Sequence, residues 1–159
     1  MTVNSSAIEG REILWFNNTL VIVHLSSATG DDGICVVEHH MPYGDSPPLH
    51  VHRQEDEVFH ILRGRMRFSI GGIERIAGAG ETVIAPKGLP HTFRVDSHEG
   101  AHCLTITRGS DFESLLRQMS RPAEELKLPP QAAPTPEAIS ALTDCCAKNG
   151  IDIVGAPLL

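Results

Sequence analysis

Three histidines and a carboxylate stand at spacings in this sequence that suit one divalent metal ion. His50 and His52 are two residues apart, Glu57 follows, and His91 opens a later apolar run. Side chains alternate between faces along a β-strand, so His50 and His52 point the same way and can chelate one ion. Glu57 has the wrong parity for an unbroken strand, and the polar stretch Arg53, Gln54, Glu55, Asp56 supplies the turn or bulge that resets it. Phe59 and Ile61 continue on the carboxylate's side, and Phe93 and Val95 continue on that of His91. Three neutral nitrogens and one oxyanion suit a borderline divalent ion, with positions left open for water, oxygen or substrate.

The elements that must position these groups are short strands. From about Ile13 to Thr107 the chain runs in β-rich segments broken by Gly, Pro and Asp. They are Ile13–Phe16, Leu20–Val23, Ile34–His40, Val58–Leu62, Met66–Ile70, Thr82–Ala85, His91–Val95 and Ala101–Thr107. Many short strands with Gly/Pro turns predict an all-β sandwich or barrel. After Thr107 the character changes. Phe112, Leu115, Leu116 and Met119 recur at helical spacing, with Asp111 placed as a cap. Leu128 to Pro136 is a proline-rich extended linker, and Glu137 to Lys148 reads as a helix with Gly150 just past its end. Ile151 to Val154 suits either a last strand or an extended tail. The expected organisation is residues 1–110 as a barrel with N-terminal strands, and 111–159 as helices and tail packing on the barrel or on a partner subunit.

Composition narrows the function. At 159 residues and 41% apolar content the chain can bury a core without disulfides. Its four cysteines show no CxxC spacing and read as small buried thiols. A net charge of −7 with no basic run argues against nucleic acid. The stretch from Met1 to Arg11 lacks an apolar leader core, and no apolar run is long enough to span a membrane, so a cytoplasmic location is expected.

The histidine blocks match both motifs of the cupin superfamily. The pattern G-x5-HxH-x4-E-x6-G fits at Gly44, His50, His52, Glu57 and Gly64. The pattern G-x5-PxG-x2-H-x3-N fits at Gly80, Pro86, Gly88 and His91, but its final Asn is Val95 here. The chain also resembles single-domain quercetin 2,3-dioxygenase-like cupins in Pro47 to His52, in Glu57 to Gly64, and in a tail with Phe112-Glu113, Arg121-Pro122 and Gly150-Ile151. The resemblance implies a jelly-roll β-barrel with a C-terminal helical extension and a metal held by His50, His52, Glu57 and His91. It implies Glu57 as a catalytic base. The metal is Fe, Mn, Ni, Co, Cu or Zn; the donor set does not choose among them.

The remaining candidates weigh against this frame. Only Glu57 opens its strand in register with the lumen, so Glu55 and Asp56 are expected in a solvated turn. His60 has the opposite parity and belongs to a surface or interface. His102 shares parity with Leu104 and Ile106, which permits a lumen position, although a core or rim role is the simpler one. One of His39 and His40 should face inward. Phe59, Ile61, Met66, Phe68, Phe93 and Val95 make an apolar interior, with a subset near the metal lining a pocket for a flat or apolar substrate. Arg63, Arg65 and Arg67 suit an exposed strand face. The expectation is a dioxygenase acting on a flavonol-like or other enolisable aromatic, working as a homodimer. A non-catalytic binder or sensor is the alternative, and an isomerase or decarboxylase of a small oxo-acid ranks lower.

Overall fold

Alternating burial organises the chain into two facing sheets. The computed structural model describes residues 11–159, so the stretch read for a leader lies outside the described residues except for Arg11. Strands β1 (Glu12–Phe16), β2 (Thr19–Leu25), β3 (Ile34–Met41), β4 (Leu49–His52), β5 (Glu57–Arg63) and β6 (Arg65–Ile70) come first. They are followed by β7 (Ile73–Gly78), β8 (Thr82–Ala85), β9 (His91–Val95) and β10 (Ala101–Arg108). The last third holds α1 (Asp111–Met119), β11 (Arg121–Pro122), α2 (Pro136–Lys148) and β12 (Ile151–Gly155). One antiparallel sheet has the order β11-β1-β2-β3-β10-β5-β8, and the other β12-β4-β9-β6-β7. The all-β barrel with a C-terminal helical extension is therefore the fold.

The period-two pattern decides which side chains fill the space between the sheets. On β5, Glu57, Phe59 and Ile61 are buried while Val58 and His60 are only partly so. On β10, Cys103, Thr105 and Thr107 are buried between the less buried His102, Leu104 and Ile106. The tight turn at Gly64 is needed as glycine, because a Cβ there would collide with the Gly100 carbonyl oxygen and its φ is +83°. Cys35, Cys103 and Cys146 are buried, and Cys145 is partly exposed. Burial pushes the Cys35 and Cys103 thiols up to about 12, as inert core groups.

The C-terminal third is woven into both sheets. β11 pairs with β1, and β12 pairs with β4 in the register Ile151↔His52 and Ile153↔His50. The tail at 151–154 is thus a strand. Leu115, Cys146 and Ile151 pack as one cluster that holds α1, α2 and β12 together. Trp15 Nε1 donates to the Lys127 carbonyl and Asn18 Nδ2 to the Ala132 carbonyl, so the proline-rich linker lies extended against β1 and its turn.

Two local expectations are corrected. Asp111 does not cap α1; Ser110 is the cap residue and offers no side-chain bond. Glu55 takes that role: its carboxylate accepts the N–H groups of Asp111 at 3.1 Å and Phe112 at 2.9 Å. Glu55 is 3% exposed, so it is not a solvated turn residue. An anion at a helix N-terminus satisfies orphan donors and complements the helix dipole, which is why a carboxylate tolerates burial there. Strand β7, unassigned from sequence, also forms between the Gly71-Gly72 turn and Gly80.

Candidate metal centre

The four motif side chains meet between the sheets. His50 on β4 is the register partner of His91 on β9, and His52 stands two residues along β4. Glu57 comes from the opposite sheet, at the start of β5, where it pairs with Ala85 and Thr107. The ligand atoms of His50, His52, Glu57 and His91 all lie within 4.8 Å of one another. Donor atoms gathered this closely can reach a common ion through side-chain adjustment alone.

Hydrogen bonding fixes which nitrogen each ring presents. The His50 Nδ1–H donates to the Pro48 carbonyl at 2.6 Å, which turns Nε2 toward the other ligands. His91 and His52 place Nε2 at 2.9 Å and 3.0 Å from the same oxygen, Glu57 Oε2. The buried His52 Nδ1 has no hydrogen-bond partner, so that ring is oriented by what its Nε2 faces. Burial opposes the charged form of Glu57, but His52 and His91 outweigh it and hold the carboxyl well below its ordinary range. Burial opposes charge on His52 too, and Glu57 outweighs it, so His52 is shifted up. Burial pushes His50 down to about 4, leaving a neutral imidazole, the form that binds metal. The donor set and its convergence fit one borderline divalent ion.

Aromatic groups wall the site. Phe59 lies edge-on to His91 with centroids 6.3 Å apart, and Phe112 of α1 approaches His52 at 6.3 Å. Phe59, Phe68 and Phe93 contact one another at centroid distances of 5.1 to 5.9 Å. Ile61, Met66 and Val95 are fully buried in the same cluster. These six side chains fill the barrel beside the ligands, and Phe59 among them reaches the ligand rings.

Family membership rests on the matching stretch. A family profile described as a cupin domain matches residues 37–107, which contain all four converging ligands. Residues 37–107 match the cupin-domain family, and the two-sheet barrel has the cupin fold. This cupin is 28% identical over 90 residues to quercetin 2,3-dioxygenase of Bacillus subtilis (strain 168), covering 57% of this chain and 26% of that protein. It therefore spans about a quarter of the curated relative it matches. Among solved structures, a predicted oxalate decarboxylase from Thermotoga maritima superposes with TM-score 0.58 and 22% identity, covering 68% of this chain and 98% of that one. The Cnp3 cupin domain of Schizosaccharomyces pombe gives TM-score 0.54 and 14% identity, over 74% and 77% of the two chains. At those identities the structural likenesses establish the fold.

The other titratable groups of the cupin fall into place around this centre. His39 faces inward, and its Nε2 lies 2.9 Å from Thr19 Oγ1. His60 lies off the ligand face, with Nδ1 2.8 Å from Thr82 Oγ1. His102 does not face the lumen; it points outward and stacks on His40 at 3.6 Å. Its apolar strand neighbours Leu104 and Ile106 sit on that outer face, which is why apolar parity misplaced it. Arg67 is held by Asp96 at 3.1 Å, and Arg63 and Arg65 are exposed. Asp56 is exposed and accepts the Lys87 N–H at 2.9 Å. Sequence reasoning missed Asp45, the motif residue after Gly44, whose carboxyl burial pushes up to about 6. Val95, in place of the motif's Asn, is fully buried, and its backbone pairs with Gly44 and Asp45.

Among the described residues, no helix is long and apolar enough to cross a membrane.

Proposed function

We propose that this cupin is a metal-dependent dioxygenase acting on a flavonol-like or other enolisable aromatic molecule. The observation that carries the reading is the convergence of three imidazoles and one carboxylate beside an aromatic wall. A divalent ion there supplies Lewis acidity toward a substrate hydroxyl and a meeting point for oxygen. His50, His52, Glu57 and His91 would hold it. Both imidazole contacts to Glu57 fall on Oε2, so Oε1 is the oxygen placed to take a substrate proton. Phe59 and Phe112 would flank a flat substrate and keep water from it. No lysine or arginine is buried among the described residues, which disfavours a small oxo-acid that needs a cationic partner. The likeness to the Bacillus enzyme supports the same reaction class.

Oxygen uptake on a panel of flavonols and aromatic diols, with metal content measured on the same samples, tests this reading. Uptake is expected in the metal-loaded protein and should vanish with the ion in His50→Ala and His91→Ala. Full metal occupancy without uptake on any member of the panel points instead to a small-molecule binder. The reading also includes a cytoplasmic homodimer. β7 is a free sheet edge that exposes Ile73 and Ile76, a surface suited to pairing. Size-exclusion chromatography checks it.

A further inference from the structure

The outer face of the seven-stranded sheet gathers the same donor types as the lumen, in partly exposed positions. On β3, Glu38 and His40 alternate with the buried Val37, His39 and Met41, and so project away from the barrel interior. His102 of β10 is the register partner of His40. The two rings stack with centroids 3.6 Å apart and planes 4° from parallel. Glu38 ties the group together: Oε1 lies 2.6 Å from His40 Nε2, and Oε2 lies 2.7 Å from His24 Nε2 on β2. Donor atoms of Glu38, His40 and His102 lie within 4.8 Å of one another.

The lone pair of an imidazole lies in its ring plane, so the stacked rings must splay by side-chain rotation before both face one ion. The donor atoms of the cluster are already close enough for that movement to bring them to a common ion. Cross-strand register holds the two side chains beside each other on one face of the sheet. The Glu38 oxygen facing His40 Nε2 occupies the third corner, and an ion would replace the proton shared between them. His24 engages the other oxygen and fixes the carboxylate's rotation, the arrangement by which supporting hydrogen bonds orient metal ligands.

We propose that Glu38, His40 and His102 form a second metal site, on the opposite face of the sheet from the lumen centre. It takes one borderline divalent ion of the zinc or copper type, with His24 as a positioning residue for Glu38. Nitrogen and carboxylate donors together select such ions over magnesium or calcium. The side chains of Glu38 and His40 are 20% and 18% exposed, so an ion reaches them from solvent and completes its shell with water.

Counting bound zinc separates the two centres. Metal-stripped full-length protein, equilibrated with Zn(II) and dialysed, should hold two ions per chain by elemental mass spectrometry. His50→Ala/His91→Ala should keep one, in the outer site, and His40→Asn/His102→Asn should keep one, in the lumen. The proposal is overturned if His40→Asn/His102→Asn retains as many ions as the unaltered chain, or if His50→Ala/His91→Ala binds none. Should the unaltered chain bind a single ion that His50→Ala/His91→Ala also binds, the lumen reading fails and this one stands.

Fluorescence gives a second readout that needs no drastic variant. Trp15 is the sole tryptophan, and it pairs with Leu20, which pairs with His40, about 10 Å away across two strand spacings. Cu(II) should quench Trp15 emission in the unaltered protein, and Glu38→Gln should raise the copper concentration required at least tenfold. An unchanged quenching curve in Glu38→Gln would count against the site.

Discussion

Glu55 and Phe112 lie 57 positions apart in sequence, yet the Glu55 carboxylate accepts the Phe112 N–H at 2.9 Å. That bond, with its neighbour to the Asp111 N–H, ties the start of α1 to the turn between β4 and β5. The same turn sets the register of Glu57 against His52. Helix docking and ligand geometry are therefore coupled through one buried carboxylate.

Removing the Glu55 carboxylate should cost more than an exposed cap. Glu55→Ala leaves two N–H groups of a buried helix start without an acceptor, at about 1–3 kcal/mol. Urea unfolding of metal-free protein measures it. Gly109→Ala should act on the same contact, since its Cβ would drive into the Glu55 carboxylate and its φ is +132°. A stability loss below about 0.5 kcal/mol in both variants would mean the helix start is satisfied another way.

Acid should destabilise the metal-free protein well above the carboxylate range. Burial pushes His39 and His50 down to about 4, against 6.5 for an ordinary imidazole. Between those values the unfolded chain binds more protons than the folded one. Stability therefore rises with pH across that window and is lost as pH falls from 6.5 toward 4. From pH 7 to pH 5 the two groups together withdraw on the order of 3–4 kcal/mol. Denaturant titrations at the two pH values check this, and His39→Gln should flatten about half of the slope. Equal stability at both pH values would show that neither histidine is held neutral.

The C-terminal strand supports the metal strand directly. β4 meets β9 through the single register pair His50↔His91, whereas β12 lines all four β4 residues, at Ile151↔His52, Asp152↔Val51, Ile153↔His50 and, after a register shift, Gly155↔Leu49. Deleting residues 150–159 should weaken zinc binding at the lumen at least tenfold and lower the melting temperature. Competition with a chromophoric chelator, in the His40→Asn/His102→Asn background, reads the lumen centre alone. Undiminished affinity after the deletion would show that β9 suffices to hold the ligands.

Restoring the motif's asparagine at position 95 should harm this cupin. Val95 is fully buried beside Met66, and its N–H and C=O are already used by Asp45 and Gly44. An amide placed there would have to find partners inside an apolar cluster. Val95→Asn should lose about 1–3 kcal/mol by thermal or urea unfolding. A neutral effect would indicate a polar partner within reach of that side chain.

Three of the ligands were legible from local geometry: parity puts His50 with His52, and a polar turn resets Glu57. His91 came from its place in the second cupin motif, since it meets His50 only through the pairing of β4 with β9. Contacts between distant segments were not legible in that way. Glu55 looked like one more charge in a polar turn because its partners lie at the start of α1. His102 was ambiguous because Leu104 and Ile106 are apolar on an outward face, where alternation has no polar side to mark. β7 escaped notice because Ile73, Glu74, Arg75 and Ile76 are all exposed, so its pattern has no period of two. The tail's strand needed a partner, β4, about a hundred residues upstream.

That last pairing sets an order of events during synthesis. His50 and His52 emerge from the ribosome long before Ile151 to Gly155, the residues that complete the hydrogen bonding of their strand. The histidine strand thus stays without one neighbour until about a hundred further residues have been translated. The strand that carries two of the lumen donors is accordingly among the last of the described strands to complete its hydrogen bonding.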